Sequence, residues 1–170
     1  MAQLRVIMLG ALLALAACRA SEADTGSGLT PPSGWQVLPS LAKAAGDAAK
    51  QAAVTIDTVE AWGETARGCY AAWFALRGTG GAPDAMAEQL VTGLSADPAL
   101  LGIVIRDVVK PVAGAQSGVL SLAFTRGLYN GKLRATLGGD GKIAALACFW
   151  NLREPVACDQ ACTSMIGSMK

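Results

Sequence analysis

The most constraining feature of this 170-residue chain is the apolar stretch at its amino terminus. Val6 to Ala17 carries no charge, and Arg5 is the single charged side chain before residue 18. A permanent membrane-spanning helix needs about 20 apolar residues, so this run is too short for one. A basic residue followed by a short apolar run that ends in small residues is typical of a secretory signal. We therefore expect residues 1–17 to be removed on export, which places the remaining chain in an oxidising compartment.

The end of this stretch, Leu15-Ala16-Ala17-Cys18, carries a more specific signal. It resembles the lipobox of bacterial lipoproteins, which reads Leu or Val, two small residues and then Cys. The resemblance implies that a diacylglycerol is attached to Cys18, that the preceding peptide is removed and that the new amino terminus is acylated. Arg19 follows where an Asp would imply retention in the inner membrane, so the class implies the outer membrane. An ordinary secreted protein and a buried apolar helix are the alternative interpretations.

Charge and histidine content exclude several classes of function. Without Arg5 the processed chain has 13 basic side chains against 13 acidic ones, and no basic patch in the sequence supports nucleic-acid binding. The chain contains no histidine. Ser-His-Asp and Cys-His catalysis and most catalytic zinc sites are thereby excluded. We predict no catalytic residues, no metal and no cofactor, with a hydrolase that uses carboxylates or a Ser-Lys pair as the enzyme alternative.

The composition divides the processed chain into two parts. Residues 18–34 comprise the lipidated Cys and a segment rich in Gly, Ser and Pro, which predicts a flexible tether. Residues 35–170 are long enough for one globular domain with its own core. For this domain we predict an α+β fold in which N-terminal helices pack on a small antiparallel sheet, and in which disulfides fasten a C-terminal helix.

The first half of the domain has the pattern of helices. Pro39-Ser40 predicts a helix start, and a long amphipathic helix is expected to end near Gly78. Apolar residues recur at intervals of four and three positions, as on one face of a helix. They are Ala52, Ile56, Val59, Trp62, Ala66, Cys69, Trp73 and Leu76. A second helix is predicted to begin at Pro83-Asp84. A third is predicted from Asp97-Pro98 to about Lys110, with a buried strand as the rival interpretation of residues 100–105.

The second half has the pattern of strands. Residues 133–137 and 143–150 flank a Gly-Gly-Asp-Gly-Lys turn, which predicts a β-hairpin. The second of these strands is apolar on both faces and is expected to be central and covered. Apolar and polar residues alternate only weakly over residues 119–125. The sequence is therefore compatible with both a strand and a helix there. Pro155 is expected to lie in the first turn of a terminal helix.

Four cysteines remain once Cys18 is assigned to lipidation: Cys69, Cys148, Cys158 and Cys162. An even number of cysteines in an exported chain predicts two disulfides. A bridge between Cys158 and Cys162 is disfavoured, because Cβ atoms one helical turn apart are about 5–6 Å apart. Two connectivities stay open, and in both the terminal helix is bridged to Cys69 and to Cys148. A redox pair and a metal site are the alternatives to structural disulfides.

Several other groupings favour a structural role over a chemical one. Ser40 and Lys43 match the Ser-x-x-Lys of serine acyl enzymes but lack the partner motifs, so a helix start with a surface lysine is preferred. Glu60 and Glu64 are expected on a solvated helix face rather than at an acid/base pair. The loop at residues 78–81 has no phosphate-binding fingerprint. The remaining aromatic candidates for a ligand pocket, for which core packing is preferred, are Trp62, Trp73, Phe149 and Trp150.

The sequence predicts a lipid-anchored periplasmic envelope protein that binds or assembles with a protein partner. The partner types considered are a secretion-system or envelope-complex component and a toxin that the protein neutralises. The alternative function is a periplasmic carrier or sensor of a small apolar ligand.

Overall fold

The computed structural model describes residues 27–50, 55–96, 101–152 and 155–169. These residues form an α+β fold with one seven-stranded antiparallel sheet and three helices. In chain order the elements are β1 Gln36–Val37, α1 Pro39–Lys50, β2 Thr55–Glu64, β3 Cys69–Arg77, α2 Pro83–Ala96, β4 Val104–Val109, β5 Ser117–Arg126, β6 Tyr129–Gly138, β7 Lys142–Asn151 and α3 Pro155–Ser168. The strand order across the sheet is β1-β2-β3-β7-β6-β5-β4, so β1 and β4 form its edges. The signal peptide, the lipobox and the predicted start at Asp97-Pro98 lie outside the described residues.

Helices α1 and α2 cover one face of the sheet, which we call the first face. Leu41 and Ala45 of α1 and Leu90 and Leu94 of α2 are buried there. The strands contribute Ala72, Phe74, Leu76, Leu120, Leu122, Phe124, Leu133, Leu137, Ile143 and Phe149, among others. Burial of this apolar surface stabilises the fold by about 25 cal/mol per Å².

Helix α3 covers part of the opposite, second face. Its buried residues Cys158, Cys162 and Met165 step by four and three, as a helix face requires. They pack with strand residues and with one residue that precedes β1: Leu29, Trp62, Cys69, Ala71, Leu146, Cys148 and Trp150. Leu29 lies in the segment that the sequence assigns to the tether, so the packed part of the chain includes it.

The long helix predicted from Pro39 to near Gly78 begins as expected, in α1, but the prediction is wrong from Thr55 onward. The chain forms β2 and β3 there, joined by a turn at residues 65–68 in which Gly68 has a φ of +68°. Both faces of these strands carry buried apolar residues, so apolar residues occur at both parities and no simple alternation appears. Val59 packs on the first face of the sheet and Trp62 on the second, although the helical prediction places both on one face of a helix.

The third predicted helix is also wrong in its described part, where β4 occupies residues 104–109. The β-branched run Ile103-Val104-Ile105 fits a pleated strand better than a helix. The rival interpretation is therefore right about a strand at residues 104–105 but wrong about its burial, because β4 is an edge strand and is mostly exposed. The open assignment of residues 119–125 resolves as strand β5. Helix α2, the β6–β7 hairpin and helix α3 are confirmed, with α2 and α3 beginning at Pro83 and Pro155.

The hairpin turn packs against the loop that precedes α2. Gly78 N–H donates to the carbonyl of Gly141, and Gly81 N–H donates to the carbonyl of Gly139. A Cβ at position 141 would lie 2.5 Å from the Gly78 oxygen, at a φ of +88°. Glycine is therefore required there by the close approach of two backbones. Among the described helices, none is both long and apolar enough to span a membrane.

Candidate functional site

The candidate site is the cysteine cluster between α3 and the second face of the sheet. Cys69, at the start of β3, and Cys158 of α3 form a disulfide with a Cα–Cα distance of 5.4 Å. This is one of the pairs that the sequence leaves open. The bridge joins positions 89 residues apart. Closing a loop of that length stabilises the folded chain by about 4 kcal/mol in the chain-entropy model.

The other two cysteines face each other in the same cluster. Cys148 lies on β7, opposite Ala71 of β3, and Cys162 lies one turn beyond Cys158 on α3. Both are buried and both are thiols in this structure. Burial, followed by the hydrogen bond and charge interaction with Cys162, raises the pKa of the Cys148 thiol well above its usual value. The thiolate is therefore disfavoured, and Cys148 is a poor nucleophile at neutral pH.

A polar contact next to the cysteines also fastens α3. Lys132 of β6 is opposite Cys148 in the register of the sheet. Its Nζ lies 2.5 Å from Oδ1 of Asp159 and donates to Oγ1 of Thr163 at 3.1 Å. The helix is thus held to β3 by a covalent bond, to β6 by an ion pair and to β7 by apolar packing. These three contacts fix the position of α3 on the second face of the sheet.

The structure separates the acid/base candidates and places them on a strand. Glu60 and Glu64 lie on β2, not on the helix face that the sequence predicts. The Glu60 Oε1 atom accepts from the Ser27 N–H at 2.9 Å. Glu64 pairs with Arg67, 3.3 Å away, in the turn to β3. Positions four residues apart on a strand are about 13 Å apart, so these two carboxyl groups do not form one site.

The Ser-x-x-Lys candidate lies on the surface of the first turns of α1. The Lys43 Nζ atom lies 2.6 Å from Oδ2 of Asp47, one helical turn on, and the lysine side chain is 78% exposed. A lysine in an exposed ion pair of this kind stays protonated and does not act as a base. Within the described ranges, no group of three or more Cys, Asp or Glu side chains could hold a metal ion.

The aromatic candidates divide between the two faces of the sheet. Trp62, Trp73 and Trp150 belong to the core of the second face. Phe149 lies on the first face between Tyr70 and Tyr129, with ring centroids 5.1 and 6.3 Å away. The four residues therefore do not line one pocket. Successive residues of a strand point to opposite faces, and this separates Phe149 from Trp150 on β7. Because β7 is apolar at both parities, no alternation in its sequence signals the separation.

Sequence reasoning missed the polar attachment of α3, because Lys132 and Asp159 are 27 positions apart and nothing in their neighbourhoods marks them as partners. Comparison of the whole chain with protein-family models and with curated proteins finds no match.

Proposed function

We propose that this chain is a lipid-anchored bacterial envelope protein whose domain binds or assembles with a protein partner at the membrane surface. The observation that carries the proposal is the sequence Leu15-Ala16-Ala17-Cys18, which has the form of a lipobox. In this proposal the membrane attachment is the lipid on Cys18, the domain faces the periplasm, and the outer membrane is favoured. The Cys69–Cys158 disulfide supports export, because such bonds persist in oxidising compartments.

The anchor is tested on protein extracted with detergent from the envelope of the native host. We expect intact-mass measurement to give a chain that begins at Cys18 and carries a diacylglyceryl group and an amide-linked acyl chain. A Cys18→Ser variant is the matched control, and it should carry no lipid and leave the membrane fraction. A chain that begins at Met1, without lipid and in the cytosol, would contradict the proposal.

The partner is tested by cross-linking in intact cells, followed by affinity purification in detergent. We expect a protein of the same envelope compartment to be recovered with the wild-type chain. Recovery should fall with Cys18→Ser, because anchoring raises the effective concentration of the domain at the membrane. Recovery of no specific protein under any envelope condition would count against a binding role.

We also propose a second bridge, between Cys148 and Cys162, in the exported protein. The two thiols are buried side by side, and the Cys69–Cys158 bond leaves them as the remaining pair. Loss of two protons and two electrons forms one S–S bond, and a disulfide-bearing oxidoreductase of the export compartment is reduced to its dithiol. Alkylation in denaturant without reductant, followed by mass measurement, should find no free thiol in the domain. Two free thiols would refute this bridge, and four would refute both.

One observation favours the alternative function, a carrier of a small apolar ligand. The indole Nε1 atoms of Trp62 and Trp150 are buried and have no hydrogen-bond partner among the described residues. A buried donor without an acceptor costs about 1–3 kcal/mol, and a bound molecule with an acceptor would remove that cost. Native mass spectrometry should then show a bound small molecule that is lost in Trp62→Phe. If no molecule is bound, the wild type and the variant differ only by the mass of the substituted side chain.

A further inference from the structure

Exposed apolar side chains concentrate at one edge of the sheet. Eight large apolar side chains are exposed in the described part of the chain, and five of them lie on or beside β4: Leu101, Val104, Val108, Val109 and Val112. Val104 is 54% exposed and Val109 is 63% exposed. On its inner side β4 pairs with β5, and within the described residues its outer side has no partner strand. An edge strand that carries clustered valines is a surface suited to association.

A β-bulge in this strand brings Val104 and Val109 to the same face. Val104 is opposite Thr125 and Val109 is opposite Ser121, so five steps along β4 match four steps along β5. Asp107 has a φ of +52° at this irregularity. Residues five apart on a regular strand lie on opposite faces, and the extra residue cancels this difference. The bulge therefore gives the outer edge of β4 one valine on the second face at each end.

The six residues of β4 are self-complementary about their midpoint. They read Val-Ile-Arg-Asp-Val-Val from 104 to 109. In an antiparallel arrangement of two copies about a two-fold axis between Arg106 and Asp107, Val104 lies opposite Val109 of the second copy. Arg106 then lies opposite Asp107 of the second copy, and neither side chain has an ion-pair partner among the described residues of its own chain. Opposite charges and β-branched pairs across two strands are both stabilising.

We propose that two copies of this chain associate through the outer edges of β4, antiparallel and about a two-fold axis at Arg106–Asp107. The association extends the sheet from one copy into the next and covers the exposed valines of both. The bulge interrupts the backbone ladder at the axis, so the valine pairs on either side and the two charge pairs hold the dimer. Isologous contacts of this kind close after two copies and do not propagate into fibres. The dimer does not depend on the lipid anchor.

Cysteine cross-linking tests the register on the full chain purified in detergent. In Val104→Cys/Val109→Cys, each new cysteine faces the other one on the second copy, with Cβ atoms about 4.5–5.5 Å apart. Mild oxidation should give a covalent dimer on a non-reducing gel. Neither single variant should cross-link, because identical positions are then about 17 Å apart, far beyond the reach of a disulfide. No dimer from the double variant, or equal yields from the single variants, would overturn the proposal.

Sedimentation velocity over a range of concentrations tests the dimer without cross-linking. We expect Val109→Lys to raise the dissociation constant at least about tenfold, since a lysine ammonium would be placed against an apolar neighbour. Val156→Lys is the matched control, because Val156 is 67% exposed on α3 and away from β4, and it should leave the dissociation constant unchanged. Circular dichroism of both variants checks that they fold.

A different occupant of the edge gives a different result. If the wild-type chain is monomeric at every concentration, and a photo-cross-linker at position 109 captures another envelope protein in cells, then β4 is a docking edge for that protein. This outcome overturns the dimer.

Discussion

At the scale of single residues, the position of a side chain in the sheet decides how much its polar contacts contribute. Lys132 and Asp159 pair at 2.5 Å with 36% and 43% of their side chains exposed, next to buried cysteines. Lys142 and Asp140 pair at 2.8 Å in a turn, with 72% and 54% exposed. Solvent screens the second pair more strongly than the first, although the two distances are similar.

Removal of the two lysines should therefore have unequal effects. We expect Lys132→Met to lower the free energy of unfolding by about 1 kcal/mol, because the Asp159 carboxylate beneath α3 loses its partner. Lys142→Met should change it by less than about 0.5 kcal/mol. Urea denaturation of both variants measures the difference, and equal losses would contradict the ranking.

The close contact at Gly141 gives a second expectation. We expect Gly141→Ala to destabilise the protein by about 2–4 kcal/mol, since a left-handed backbone and a clash with the Gly78 carbonyl act together. Gly114→Ala is the control, because Gly114 has a φ of +79° with open space around it. That variant should lose only about 1 kcal/mol. Thermal melts of the two variants decide, and a smaller loss at Gly141 than at Gly114 would refute the contact.

At the scale of elements, the sequence predicts helix starts and turns correctly. It does not predict whether a segment with buried residues on both faces is a helix or a strand. Pro83, Pro155 and the Gly-Asp turn of the β6–β7 hairpin act through their own backbone, so the sequence located α2, α3 and the hairpin. Strand β2 has Ala61 buried on one face and Trp62 on the other, so its apolar residues also fit a helical stripe. Cys158 was recognised as a bridging residue from helix geometry, but its partner depends on a tertiary arrangement that no local pattern encodes.

The attachment of α3 should depend on the redox state. We expect Cys158→Ser to lower the free energy of unfolding by about 4 kcal/mol in oxidising buffer, because the unfolded chain regains the freedom of a long loop. Cys69→Ser/Cys158→Ser should lose no more than about 1 kcal/mol beyond the single variant, because both substitutions remove one bond. With a reducing agent the wild type should melt close to the variants. A difference that survives reduction would assign the loss to packing instead.

At the scale of the whole molecule, the balanced charge makes the lipid the sole strong attachment to a membrane in our proposal. Attraction to anionic lipids contributes about 1 kcal/mol per clustered basic residue, and a chain with equal numbers of acidic and basic groups has little of it. Two or more acyl chains give stable anchoring instead.

We therefore expect an unlipidated Cys18→Ser chain to stay in solution during flotation with vesicles that contain anionic lipid, at low and at physiological salt alike. The lipidated chain should float at both salt concentrations. Flotation of the unlipidated chain at low salt only would reveal an electrostatic surface that its net charge does not indicate.

The bond between Cys69 and Cys158 has a mechanical consequence. A pull on the amino terminus first reaches Ser27 and Leu29, then β1, α1 and β2, all of which precede Cys69 in the chain. The residues from Cys69 to Cys158 form a covalent ring that tension cannot lengthen beyond its own circumference. Force applied at the amino terminus can separate β1 and β2 from the sheet, because both precede Cys69. The β6–β7 hairpin and α2 lie inside the ring and are protected from that force.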